Sequence, residues 1–198
     1  MAKKLNWMIL EQALRQSGLR LFSPLELQRL LGVSAVAARF LVHRYAKQGA
    51  LVKLRNGLYA LADRLPADPA MANRLYEPSY LSFEYALAYY HLIPETVYAI
   101  TSASPRPTRT VTVSGRVFEY HRLKRSAFTG YAPVKISGET VLMATREKAL
   151  LDYLYFVDLK RKPLTDRLAL RTIVWSRLER AARCFERPTL LALVRSLR

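Results

Sequence analysis

Cysteine is almost absent from this 198-residue chain: Cys184 stands alone, so no internal disulfide can form. Histidine is nearly as scarce. With only His43, His91 and His121 beside that one thiol, no Cys/His zinc cluster can be assembled, and the zinc-finger route to DNA binding is closed. The seven glycines are scattered, no two closer than eight positions. Both the G-x-G-x-x-G dinucleotide fingerprint and the Walker A loop need tighter spacing, and neither is present. There is no G-x-S-x-G elbow either. Long apolar runs are also missing. The stretch from Leu5 to Leu10 is broken by Asn6 and stops at Glu11, too short for a signal peptide or a membrane span, so a cytoplasmic protein with no membrane partner is expected.

Acidic residues are the other shortage: 15 Asp and Glu face 32 Lys and Arg, for a formal charge of +17. The excess sits at the two ends. Residues 1–64 hold 11 bases against 3 acids, residues 65–159 hold 10 against 9, and residues 160–198 hold 11 against 3. Charge concentrated in this way repels itself unless a polyanion is near, and it accelerates encounter with phosphates, which points to nucleic acid as the partner class. Constellations for catalysis are thin. Cys184 lies between Arg183 and Arg187 and reads as a bystander. Glu119, His121 and Lys124 resemble a fragment of a metal nuclease site but lack the second converging carboxylate that such a site needs. Glu147 and Asp152 read as helix-surface or ion-pair residues. No enzyme activity, cofactor or metal is expected.

The sharpest local signals come early. Trp7, Leu10 and Leu14 recur at helical spacing over residues 6–16, and Gly18 ends that helix. Ser23 then precedes Pro24 and lies three residues before Glu26: an N-cap, a proline at the first helical position and a capping box, with Phe22 and Leu27 placed as a hydrophobic staple. This second helix ends near Leu31, before Gly32. Ser34 caps a third, reaching to about Gln48. Two strands follow around Asn56-Gly57, the strongest short hairpin signal. Helix, short capped helix, Gly turn, longer helix and hairpin, in that order, predict a winged helix-turn-helix over residues 1–64.

In that architecture the third helix enters the major groove, while the hairpin and the helix N-termini meet phosphates. Two registers satisfy the apolar pattern of the third helix. One buries Ala38, Leu41, Val42 and Tyr45 and turns Val36, Phe40, His43 and Lys47 outward, flanked by Arg39 and Arg44. The other buries Val36 and Phe40. On the first, Arg39 or Arg44 can pair with guanine, and Val36 or Phe40 can touch a thymine methyl. The candidate DNA-binding set is Ser34, Val36, Arg39, Phe40, His43, Arg44 and Lys47 on this helix, with Lys53, Arg55 and Asn56 on the wing.

Residues 65–77, rich in Pro, Asp and Asn, predict a linker. A second domain over residues 78–159 follows: a helix capped by Ser79 or Ser82 to about His91, strands over 97–101, 108–113 and 117–123 with a Ser114-Gly115 turn, and a helix over 145–156 with Ala149, Leu150, Tyr153 and Leu154 on its apolar face. Residues 160–198 predict a basic helical tail, with helices over 166–183 and from Pro188 onward. The fold class expected is α+β: a winged helix-turn-helix, then a mixed α+β domain with a basic helical C-terminal tail.

The string from Gln48 to Tyr59, QGALVKLRNGLY, resembles the wing of AbiEi-family antitoxins, where G-x-L-x-x-x-x-x-G-x-Y is typical. Pro78-Ser79-Tyr80-Leu81-Ser82 with Ala86-Leu87, and Arg146-Glu147-Lys148-Ala149-Leu150-Leu151-Asp152, are similar to landmarks of that family's second domain. The resemblance covers about residues 5–157; the basic tail matches no landmark. It implies a repressor that binds its own promoter as double-stranded DNA and counters a partner toxin, in the type case a nucleotidyltransferase, without necessarily forming a stable complex with it. Repression would belong to the first domain and the antitoxin role to the second. Monomer and homodimer both stay open. Other readings of the residues are a stand-alone DNA-binding regulator, an RNA-binding adaptor using the basic tail and the Tyr-rich helix, and a metal-dependent nuclease.

Overall fold

The computed structural model describes residues 6–198; Lys3, Lys4 and Leu5 of the basic, apolar start lie outside the described residues. Among the described residues, eight α-helices and two sheets make a mixed α+β protein, and the chain divides between Ala67 and Asp68 into two compact units.

The first unit runs α1 (Trp7–Ser17), β1 (Leu21–Phe22), α2 (Pro24–Leu31), α3 (Ala35–Lys47), β2 (Leu51–Arg55) and β3 (Leu58–Leu61). Each helix starts at a capping side chain. Asn6 accepts from the Ile9 N–H, Ser34 accepts from the Ala37 N–H, and both arms of the Ser23/Glu26 capping box are made. Gly18 and Gly32 end α1 and α2 in the left-handed conformation. The three strands pair antiparallel in the order β1-β3-β2, β1 being an element that two residues are too few to announce in sequence. Leu10, Leu14, Phe22, Leu27, Leu41, Val42, Tyr45, Leu51 and Leu61 form the core, with Trp7 tilted against Tyr45 at 5.0 Å between ring centres.

The second unit is built on a six-stranded sheet, β6-β7-β5-β4-β9-β8. Its strands are β4 (Tyr80–Leu81), β5 (Ile100–Ser104), β6 (Arg109–Val113), β7 (Arg116–Arg122), β8 (Tyr131–Ile136) and β9 (Glu139–Ala144). Its helices are α4 (Asp68–Leu75), α5 (Phe83–Tyr89), α6 (Arg146–Asp158), α7 (Trp175–Ala182) and α8 (Pro188–Ser196). Two pairings are parallel, β4 with β9 and β5 with β7, which is why the chain must cross over between them. Helix α6 packs against α5, α7 and α8, and every residue from Lys148 to Phe156 is buried. It is a central helix, with no solvent face along that stretch, rather than the amphipathic one its periodicity predicts.

Several expectations are corrected here. The predicted linker over 65–77 contains α4. Asp68 and Pro69 open that helix, where a missing N–H is harmless, and Pro69, Met71, Ala72 and Leu75 are buried. Asn73 clasps the Leu142 backbone, its amide donating to the carbonyl at 3.2 Å and its carbonyl accepting from the N–H at 2.5 Å. The basic segment 160–198 is no separate tail either: Leu178, Phe185, Leu190 and Val194 are buried and the segment belongs to the second unit. The single helix predicted over 166–183 shrinks to α7, preceded by a 3₁₀ turn at Leu170–Thr172, because the β-branched run Thr172-Ile173-Val174 favours extended backbone. Strands β8 and β9 went unpredicted, although their turn, Ser137-Gly138, has the two positive φ angles of a tight hairpin.

One buried ion pair ties α6 to the sheet. Asp152 has no exposed surface; its Oδ1 accepts from the Lys148 ammonium, one helical turn earlier, and its Oδ2 accepts from the Tyr80 hydroxyl at 2.9 Å and the Ser82 hydroxyl at 2.7 Å. Ser82, expected as a helix cap, spends its hydroxyl here and makes no cap. Asp152 is therefore an ion-pair residue, as one of its two expected readings had it, and not a helix-surface one. Burial pushes the Lys148 ammonium down and the Asp152 carboxyl up from their ordinary values, while each partner opposes the other's shift. Removing one member of such a pair strands the other. Asp152→Leu is expected to destabilise the second unit by about 3–5 kcal/mol, and adding Lys148→Met to recover part of that loss, as read by urea denaturation.

Candidate nucleic-acid interface

Helix α3 sets the geometry. Ala38, Leu41, Val42 and Tyr45 are buried, so the opposite face carries Val36 and Phe40, which are 75% and 62% exposed, together with exposed Arg39, His43, Arg44 and Lys47. Of the two registers the sequence allows, the one that exposes Phe40 is adopted. Leaving a phenylalanine in water forgoes about 1.5–3 kcal/mol of burial, so this face is set against the stability of the isolated unit.

Ser34, named with this set, is exposed but occupied: its hydroxyl accepts from the Ala37 N–H at 3.2 Å. That bond caps α3 and satisfies one of its first N–H groups. The hairpin β2–β3 closes through Asn56 and Gly57, where Gly57 takes a φ of 76° that a side chain rarely adopts. A register shift between Lys53 and Arg55 leaves Leu54 buried and Lys53 exposed; Arg55 is half-buried and donates to the Asn56 carbonyl at 3.0 Å. Helix and hairpin are brought together at a depression of about 340 Å³ lined by Ser23, Gln28, Ala35, Arg39 and Gly57, among others. Gln28 is the residue sequence reasoning missed. It sits on the half-buried flank of α2, and only the packing of α2 beside α3 reveals that it shares a wall with Arg39.

Electrostatics sharpen the picture. Neither α3 nor the hairpin contains an acid. The three carboxylates of residues 6–64 are committed: Glu11 and Asp63 both pair with Arg15, and Glu26 accepts from the Ser23 N–H at 2.6 Å. Arg39, Lys47 and Lys53 have no ion-pair partner among the described residues, and Arg44 lies 5.6 Å over the Tyr45 ring. The face is thus apolar at its centre and cationic around it, able to meet phosphates with its rim and base edges with its middle.

In the second unit, the Glu119/His121 pair is a packing feature. The His121 ring stands edge-on to Phe83 at 4.9 Å and tilted against Phe156 at 5.2 Å, with Nε2 buried and 3.6 Å from Glu119. Among the described residues no three His, Cys, Asp or Glu side chains converge as metal ligands, and no helix is long and apolar enough to cross a membrane.

No protein-family model matches the chain, and no curated protein matches it.

Burial, aided by the nearby Lys162 charge and opposed by Glu84, lowers His121 from 6.5 to about 4. A depressed histidine is neutral when folded and takes up a proton first when unfolded. Its contribution is therefore full above pH 6.5 and lost as pH falls through the window from 6.5 to 4. Between pH 7.5 and pH 5 the second unit is expected to lose about 2 kcal/mol from this group. Denaturant titrations at the two pH values check this: His121→Phe should reduce the pH-dependent loss by that amount, and an identical loss in the variant would assign it to other groups.

Proposed function

We propose that the first unit is a winged helix-turn-helix, with α3 entering the major groove of duplex DNA and β2–β3 as its wing, and that the protein is a sequence-specific transcriptional repressor of its own promoter in the cytoplasm. The observation that carries this reading is the exposed face of α3. Val36 and Phe40 stand in solvent within a ring of cations, on a helix without a single acid, while the carboxylates of the unit are engaged elsewhere. An apolar centre of this kind suits thymine methyls, and the guanidinium forks of Arg39 and Arg44 suit guanine O6 and N7. Lys47, Lys53, Arg55 and Asn56, with the capped N-termini of α2 and α3, suit the phosphate backbone.

The antitoxin role is proposed on the resemblance to AbiEi-like antitoxins alone. One of the strings that carry it, Arg146 to Asp152, opens α6, whose Lys148 and Asp152 form a buried ion pair. In this reading the protein counters a nucleotidyltransferase-like toxin, and the second unit serves that task.

Gel-shift titration on the protein's own upstream DNA and on a scrambled duplex, across several salt concentrations, tests the DNA reading. Tighter binding to the upstream DNA is expected, with log affinity falling by about 0.9 per contacted phosphate per unit of log salt. Arg39→Ala with Arg44→Ala should weaken that binding about a hundredfold or more, at about 1–3 kcal/mol per lost base contact, without unfolding a unit whose core neither residue enters. Unchanged affinity in the double variant would reject the docking face. Equal, weak binding to both duplexes would reject sequence-specific repression.

A further inference from the structure

The second unit holds a cavity of about 350 Å³ between the loop at Thr129 and Gly130, the first turn of α6 and one face of α7. Arg177 and Arg180, three residues apart on α7, both line the cavity, both are exposed, and neither side chain has an ion pair or hydrogen bond among the described residues. Some arginines of the unit are paired, among them Arg187 with Asp158, Arg167 with Glu95, Arg116 with Asp68 and Arg198 with Glu179, but only Arg177 and Arg180 line this cavity. Like charges at this spacing repel, and an anion held between the two guanidiniums would relieve that repulsion.

The other charged side chains of the wall are held in place by their own bonds. Glu147, the carboxylate in the cavity wall, accepts from the Val174 N–H at 3.3 Å and so holds the start of α7. Lys148 turns inward to Asp152. The walls are also fixed. The Gly130 carbonyl accepts from the Thr145 N–H at 2.9 Å, and a Cβ on Gly130 would meet the Lys148 side chain at 3.1 Å, so the loop lies closed down on α6.

We propose that this cavity binds a small phosphorylated molecule, with its phosphate held by Arg177 and Arg180. Planar guanidinium forks match phosphate oxygens in pairs, and the volume lies at the lower end of the range of about 300–1,000 Å³ for small-molecule sites. The inference concerns the second unit alone and does not rest on the DNA-binding reading.

Cys184, the single thiol of the chain, is exposed and lines the same cavity, so its reactivity reports occupancy. At constant ionic strength, pyrophosphate and adenosine monophosphate should slow alkylation of Cys184 by iodoacetamide in a saturable way, whereas chloride should not. Arg177→Gln with Arg180→Gln should raise the pyrophosphate concentration needed by about tenfold or more. Calorimetry of pyrophosphate binding to the unaltered protein is expected to show one site, and it does not depend on how the variant folds. Neither protection nor heat with the unaltered protein would overturn the proposal. So would protection that survives in the double variant, or protection by a short DNA duplex but by neither small phosphate, which would assign the two arginines to nucleic acid instead.

Discussion

A carboxylate sealed from water must find every partner within the protein, and Asp152 finds three. Lys148 comes from its own helix, Tyr80 from the short central strand β4, and Ser82 from the entry to α5, the last two being 72 and 70 residues away in sequence. Missing any one donor leaves a buried charge under-satisfied, so the network admits one rotation of α6 over the sheet. Strand β4 is only two residues long, yet it sits between β5 and β9 and is shared by an antiparallel and a parallel pairing. Its position is held by side chains as much as by the ladder. Tyr80 stacks on Tyr131 of β8 at 4.6 Å, and Leu81 is fully buried.

The same economy of acids shapes the surface. With 15 carboxylates for 32 bases, where each acid goes decides where positive charge is left. In the first unit two of them meet on Arg15 and the third caps α2, which leaves α3 and the hairpin with bases only. In the second unit Asp158, Glu84 and Asp152 are drawn onto Arg187, Lys162 and Lys148, while Arg177 and Arg180 make no ion pair among the described residues. Each unit therefore presents a cationic face, but of different shape. One is a helix face with exposed Phe40 at its centre; the other is a hollow lined by Arg177 and Arg180.

Local signals were legible where a bond spans three or four residues. Ser23 with Glu26, Ser34, Gly18, Gly32 and Asn56-Gly57 place the boundaries of α1, α2, α3 and the β2–β3 hairpin to within a residue or so, because caps and tight turns are closed by neighbours in the chain, while β1 went unseen. The candidate residues accordingly lie on or beside α3 and the hairpin, where they were expected. Their outward orientation on α3 was not decided by periodicity, which permitted two registers, but by the packing of Leu41, Val42 and Tyr45 against Leu10, Leu14 and Leu27.

What the sequence by itself determined is the excess and placement of charge, the lack of disulfide and glycine-rich phosphate loops, and the order of the three helices and the hairpin in the first 64 residues. What only the tertiary structure decided is long-range: that residues 68–75 form a buried helix, that β8 and β9 join a sheet through a two-residue β4, that the basic C-terminal segment packs on α6, and that Arg177, Arg180 and Cys184 share one cavity. The reason is the range of the forces involved. Capping and turn formation are settled between adjacent residues, whereas the burial of Lys148 with Asp152, and the neutrality of His121, depend on groups that meet only when distant segments fold together.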